Sequence, residues 1–250
     1  MKGRRILVLV IACVPSPRLR TWLYRLIPGY EIDRSARIGW LSTVEVEHLS
    51  LGPGSRIGPR SRVRGLEHLS LGPGSRIGPR SRVGGPMSVV LGTDASLGGQ
   101  NQIECDAGYS EYEAVDAPYA RELVLGDRAM VTSGHYFDAI GGVYVGESSW
   151  IAGTGSQFWT HGLGVQDRSV VIGRYSYIGS AVRFAPGARV GDLVVVGIGS
   201  VVVGDMSGHR QALLAGVPAR LVRADYRPAG WAASLQLRGC TLAPRHPARS

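Results

Sequence analysis

The chain has 250 residues, with 28 basic against 19 acidic side chains, 44% apolar residues and 36 glycines. That apolar content excludes an intrinsically disordered chain, and glycine at about twice its usual share, without a three-residue period, excludes collagen and points to tight turns between short strands. The net charge of +9 is unevenly placed: residues 1–82 hold 15 basic and 5 acidic side chains, 83–205 hold 6 and 13, and 206–250 hold 7 and 1.

Both ends are therefore basic and the middle is acidic. A nucleic-acid interface interleaves basic residues with aromatics, but residues 48–83 carry many arginines and no aromatic side chain. No nucleic-acid partner is expected. The three cysteines, Cys13, Cys105 and Cys240, are odd in number and far apart, so they form neither a disulfide framework nor a metal-ligand pattern. A reducing, cytoplasmic setting without a metal follows.

At the N-terminus, Lys2, Arg4 and Arg5 precede nine apolar residues, Ile6 to Val14. A bilayer-spanning helix needs roughly 20 apolar residues, so this run does not span. It lacks a small-x-small signal cleavage site, although Val10-Ile11-Ala12-Cys13 fits a lipoprotein-type box and leaves export open. Pro15 and Pro17 follow. From Arg18 to Ile27, Leu19, Trp22, Leu23 and Leu26 fall at i, i+3, i+4 and i+7, the stripe of an amphipathic helix. Two readings stay open for it: a helix packed across the open end of the next domain, or a basic interfacial helix giving peripheral membrane contact through residues 1–27, at the inner face of the membrane.

An internal repeat comes next. The sixteen residues His48 to Val63 recur unchanged as His68 to Val83, a shift of twenty. Aliphatic residues form three columns: Leu51, Leu71 and Leu91; Ile57, Ile77 and Leu97; Val63, Val83 and Ile103. The step within a row is six. Such a period predicts an inward aliphatic side chain on each of three short sides, with glycine letting the backbone turn the corner, and coils that are stable only when stacked. Two extra residues per coil, such as Leu49-Ser50, lengthen one side. After an irregular stretch at 104–122, the columns resume with Leu125, Val131 and Phe137, then Val145, Ile151 and either Gln157 or Phe158. They continue with Ile172, Ile178 and Phe184, and close with Val190, Val196 and Val202. The second and third of these rows are 27 residues apart instead of twenty, which predicts a loop protruding between Phe158 and Val170. Protruding loops on a regular scaffold are where chemistry tends to sit.

With the repeat, the stretch 190–205 (VGDLVVVGIGSVVVGD) and the closing stretch 215–223 (AGVPARLVR), the chain resembles the hexapeptide-repeat acyltransferases that use acetyl-coenzyme A, over about residues 32–223. The resemblance implies an all-β fold, a left-handed parallel β-helix of triangular coils, here with an N-terminal amphipathic helix and a short irregular C-terminal tail. The organisation expected is a basic N-terminal segment at 1–30, the β-helix at 31–223 and the tail at 224–250. The resemblance is nearest to sugar O-acetyltransferases of the galactoside and maltose type. In these, the histidine lies in a Thr-Gly-His or Thr-His stretch ahead of an IG-x-x-x-W/Y-IGS coil, as Thr160-His161 lies ahead of Ile172 to Ser180. Serine acetyltransferases place a histidine after an aspartate at the position held by Asp138-Ala139, and alanine stands there instead.

The resemblance implies His161 as general base on an acceptor hydroxyl, and imidazole is the side chain that changes protonation near neutrality. It implies acetyl-CoA as co-substrate, held by Ser180, Ile198, Arg220 and Arg223, the arginines being suited to phosphate. Val203-Gly204 stands where relatives have Thr-Lys, which removes one side-chain contact. His135, Asp138 and Trp159 are candidates for acceptor binding, with Phe158 beside Trp159 as an apolar wall against a sugar face. A homotrimer with sites between subunits is also implied. The function expected is transfer of an acetyl group to a hydroxyl of a sugar or glycosylated acceptor in polysaccharide biosynthesis. The alternatives are an N-acyltransferase on an amino sugar, a non-catalytic scaffold at a membrane surface, and a metal-dependent carbonic anhydrase, which needs three histidine ligands where only His135 and His161 are well placed.

Overall fold

The computed structural model describes residues 2–106, 120–162 and 164–228. They form a left-handed parallel β-helix of about nine turns preceded by two short helices. Among parallel crossovers this hand is the exception. The part of the irregular stretch at 107–119 and the tail at 229–250, with Cys240, lie outside the described residues.

Each coil has three sides. The first-side column runs Leu51, Leu71, Leu91, Leu125, Val145, Ile172 and Val190 in unbroken parallel register. Four of its strands, among them Ser88–Leu91 and Ser169–Ile172, are four residues long, and along the column a second inward residue (Leu49, Leu69, Val89, Leu123, Val143, Val170) is buried beside the first. The two extra residues per coil supply it. The second side stacks Ile57, Ile77, Leu97, Val131, Ile151, Ile178 and Val196. On the third side Phe137 pairs with Phe158, which resolves the Gln157 or Phe158 alternative in favour of Phe158. The shift of one arises from a residue inserted at the preceding corner, where Gly153 (φ of +67°) adds a second left-handed residue to the usual one, here Gly155 (φ of +77°). Phe137, Phe158 and Phe184, the chain's three phenylalanines, stack with centroids 4.5 and 5.1 Å apart. Phe158 is fully buried, so it packs the core and offers no wall to a ligand.

The glycines after the inward positions have a tighter reason than turning a corner. A Cβ on Gly78 would lie 2.3 Å from the backbone nitrogen of Gly99, and one on Gly173 would lie 2.4 Å from the carbonyl carbon of Gly191. Neighbouring coils approach too closely for any side chain there.

The open first coil is closed by α1 (Lys2–Cys13) and α2 (Pro17–Arg25). Ser16 caps α2 by accepting from the Leu19 amide, at 3.4 Å. The helix lies across the coil end mainly by polar side chains: of its apolar stripe only Leu23 packs partly against the core, Leu19, Trp22 and Leu26 are exposed, and Arg20, Thr21 and Tyr24 are buried. The cause is the coil end itself, whose backbone groups have no next coil to pair with and must be satisfied on burial. Arg20 Nε donates to the Ile38 carbonyl (2.9 Å), Thr21 Oγ1 accepts from the Ile38 amide (3.2 Å), and the Tyr24 hydroxyl donates to the Ser42 carbonyl (3.1 Å) and accepts from the Val44 amide (3.3 Å). Tyr30 does the same for the Val44 carbonyl at 3.0 Å. An aliphatic face would have left these groups orphaned.

Gly78→Ala is expected to lower stability by about 1–3 kcal/mol, the usual cost of forcing extra volume into a packed interior. Thermal unfolding against the exposed-site control Gly208→Ala, whose Cβ would meet nothing within 4 Å, measures it.

Candidate active site

The loop that departs from the coil after Gln157–Phe158 is anchored by its threonine. Thr160 is fully buried. Its hydroxyl donates to the Asp138 carbonyl (2.9 Å) and accepts from the Gly141 amide (2.8 Å), while its own amide donates to Asp138 Oδ2 (3.0 Å). That fixes the next residue: His161 Nδ1 lies 2.5 Å from the same Asp138 Oδ2. The Asp138 side chain is 4% exposed and the His161 side chain 24%, so the carboxylate is buried and the ring reaches the surface. A carboxylate accepts, so Nδ1 carries the hydrogen and Nε2 is the basic nitrogen of the neutral ring. Asp138 comes from the strand Tyr136–Asp138 one coil earlier. Its place is behind the imidazole, which differs from the acceptor contact expected of it.

Trp159 is 36% exposed and tilts against Tyr136 at 5.0 Å and 42°. Its indole N–H points at Gln157 Oε1 (3.4 Å), which also accepts from Arg183 Nε (3.3 Å). Burial, then the nearby Glu104 and Asp138 carboxylates, push the Tyr136 phenol upward, which keeps its proton on. Tyr136 was missed from the sequence, where the only signal is that it shares the outward parity of its strand, two residues before Asp138.

His135 is 2% exposed, and the framework occupies both its ring nitrogens. Nδ1 accepts from the Ser156 amide (3.1 Å) and Nε2 lies 3.0 Å from Thr132 Oγ1. The Asn101 side chain in turn accepts from the His135 amide (2.8 Å). The ring ties its own coil to the next, the backbone amide ties it to the one before, and the ring is not presented to an acceptor.

Ser180 and Ile198 stack one coil apart at a different corner, since Ile178 pairs with Val196 on the second side. The Gly199 amide donates to the Ser180 carbonyl at 2.9 Å. The next coil adds the closing hairpin, Leu213–Gly216 with Ala219–Arg223, in which Arg220 opposes Ala215 and Arg223 opposes Leu213. Ile198 is 76% exposed and both arginines are exposed. The four expected donor-binding residues thus share one region of the fold. His161 sits at the corner between the third and first sides, they at the corner between the second and third and on the hairpin beyond.

No protein-family model matches the chain, and no curated protein matches it. Among solved structures it is similar to the polySia-specific acetyltransferase NeuO, at 15% identity and a TM-score of 0.46, covering 85% of this chain and 91% of that one. It is also similar to the UDP-N-acetylglucosamine acyltransferase LpxA from Bacteroides fragilis, at 15% identity and a TM-score of 0.48, covering 86% and 78%. A third is a hexapeptide transferase family protein from Anaplasma phagocytophilum, at 12% identity and a TM-score of 0.36, covering 85% and 93%. At such identities the likeness is one of fold.

Burial, the larger cause, holds the His135 imidazole down at about 4 against an ordinary 6.5. Unfolding releases it to bind a proton, so between these values the unfolded chain holds more protons and stability falls as pH drops. Thermal unfolding across pH 7 to 4 should show this loss, and His135→Gln, whatever its absolute stability, should flatten the slope; parallel slopes would assign the acid loss to other groups.

Proposed function

We propose that the protein is a coenzyme A-dependent O-acyltransferase, acting on a hydroxyl of a sugar or glycosylated acceptor with His161 as general base. The observation that carries this reading is the pair formed by His161 and the buried Asp138, held on a loop that leaves the solenoid. A free hydroxyl attacks a thioester slowly, and a neutral imidazole that removes its proton as attack proceeds typically contributes 100-fold to 10,000-fold. Asp138 fixes the tautomer that puts the basic nitrogen outward and stabilises the imidazolium formed. Thr160 locks both to the coil. Beside them the Trp159–Tyr136 surface offers an apolar, partly exposed face of the kind that stacks on a sugar ring.

The residues at the other corner fit coenzyme A. Ile198 is an aliphatic side chain left almost wholly in water, and Arg220 and Arg223 present guanidinium groups suited to phosphates. When bound, acyl-coenzyme A would supply the activated acyl carbon as a thioester, with the coenzyme A thiol as leaving group. Because His161 and these residues occupy different corners of the triangular coil, a complete site takes His161 from one chain and the donor contacts from its neighbour, which supports a homotrimer.

The test is thioester consumption by the purified protein with a panel of sugar acceptors. His161→Ala should lower turnover by roughly 100-fold or more, and Asp138→Asn, which disturbs the tautomer, by a comparable or larger factor. The mass by light scattering should stay unchanged in both. Trp159→Ala should raise KM for the acceptor more than it lowers kcat. If the wild type binds coenzyme A and transfers to no acceptor, the solenoid is a binding scaffold instead; transfer to amines in preference to hydroxyls would move it to the N-acyltransferases.

A further inference from the structure

The catalytic reading makes no use of the capped end of the solenoid, where apolar surface and unpaired positive charge coincide. α1 is apolar on every side beyond its first turn, yet only Val8, Ile11 and Ala12 pack inward; Ile6, Leu7, Leu9 and Val10 are between 48% and 64% exposed. α2 adds Leu19, Trp22 and Leu26 on its outer side, and Trp40 is exposed at the neighbouring corner. A helix apolar all round is ordinarily buried on all sides. At twelve residues, α1 is about 18 Å long and does not cross a hydrocarbon core of about 30 Å, and among the described residues no helix is long and apolar enough to do so.

Beside α1 runs a groove of about 440 Å³. Its apolar wall is Val8, Leu9, Ala12 and Leu41, and its polar wall carries Arg5, Arg60, Arg62 and Arg64 with Glu45 as the acid among them. None of these four arginines forms an ion pair among the described residues. At the same end Arg4 lies over the Tyr30 ring at 5.0 Å, and its Nε is buried without a hydrogen-bond partner.

We propose that this end docks on an anionic lipid bilayer, with the outer sides of α1 and α2 at the level of the acyl chains and the Arg5, Arg60, Arg62 and Arg64 groove receiving lipid phosphates. Charge decides between a bilayer and a second copy of the chain as the occupant. A self-interface would bring the same unpaired arginines together, where like charges repel, whereas an anionic surface neutralises them while burying the apolar side. The polar cap explains the arrangement: with Arg20, Thr21 and Tyr24 committed to the coil's open backbone, Leu19, Trp22 and Leu26 are turned outward. Docking would hold the acyl-transfer corners in a fixed relation to the membrane surface. It stands apart from the transfer chemistry, and His161→Ala should bind vesicles as the wild type does.

The experiment is flotation of the full chain with vesicles of phosphatidylcholine alone and of phosphatidylcholine mixed with phosphatidylglycerol. Binding is expected to the anionic vesicles only, weakening as salt is raised. Leu9→Glu and Trp22→Glu change exposed positions and should reduce it at least about 10-fold at unchanged thermal stability, with Ile6→Glu as a second variant on the same face. Arg60→Gln and Arg62→Gln should each reduce it about fivefold. Three results would overturn the proposal: binding to neither vesicle or equally to both; a change of oligomeric mass in the glutamate variants without loss of vesicle binding, which would give the face to a second copy; or binding of inorganic phosphate in the groove without vesicle binding, which would give it to a free anion.

Discussion

No coil of this protein can bury its inward side chains by itself. A side of the triangle is two to four residues long, and its aliphatic residue is fully covered only when the coils above and below stack on it. The close approach of backbones at Gly78 and Gly173 follows from that dependence. So does the polar cap. A stack held by neighbour contacts must end somewhere, and its ends expose both apolar side chains and unpaired backbone groups. Arg20, Thr21, Tyr24 and Tyr30 satisfy the backbone at the first coil, and the antiparallel hairpin Leu213–Gly216 with Ala219–Arg223 occupies the other end.

The same constraint shapes the site. A regular solenoid has featureless sides, so a departure from the period carries extra meaning. The departure after Phe158 costs the core nothing, because the three-phenylalanine ladder continues beneath it without a gap. On that rigid floor Thr160 ties the loop to Asp138, and Asp138 in turn holds the His161 ring. Precision comes from the coil below and reach from the loop above.

Periodic features were legible from the sequence and pairwise ones were not. Aliphatic residues at steps of six and twenty announce the columns and their register, because the period is a local property of the chain. The third column was ambiguous at Gln157 and Phe158, since one inserted residue at the corner shifts the phase. Nothing local shows that Asp138 supports His161 across 23 residues, or that both nitrogens of His135 are consumed by Thr132 and Ser156. Asp138 and His135 look equivalent in the chain as polar residues at coil corners; their partners on adjacent coils separate them.

The N-terminal helix shows most clearly where the division falls. By itself the sequence determined that an amphipathic helix lies near residues 18–27, observed as Pro17–Arg25, that a solenoid follows, and that a loop carrying Thr160-His161 leaves it, because each rests on residue spacing along one segment. Which face of the helix meets the coil was decided only in three dimensions. The stripe of Leu19, Trp22 and Leu26 would ordinarily be assigned to the core, but the surface it would have met is a row of open backbone carbonyls and amides, and hydrogen-bonding demand there outweighs apolar burial. The apolar face was thereby left to the outside of the molecule.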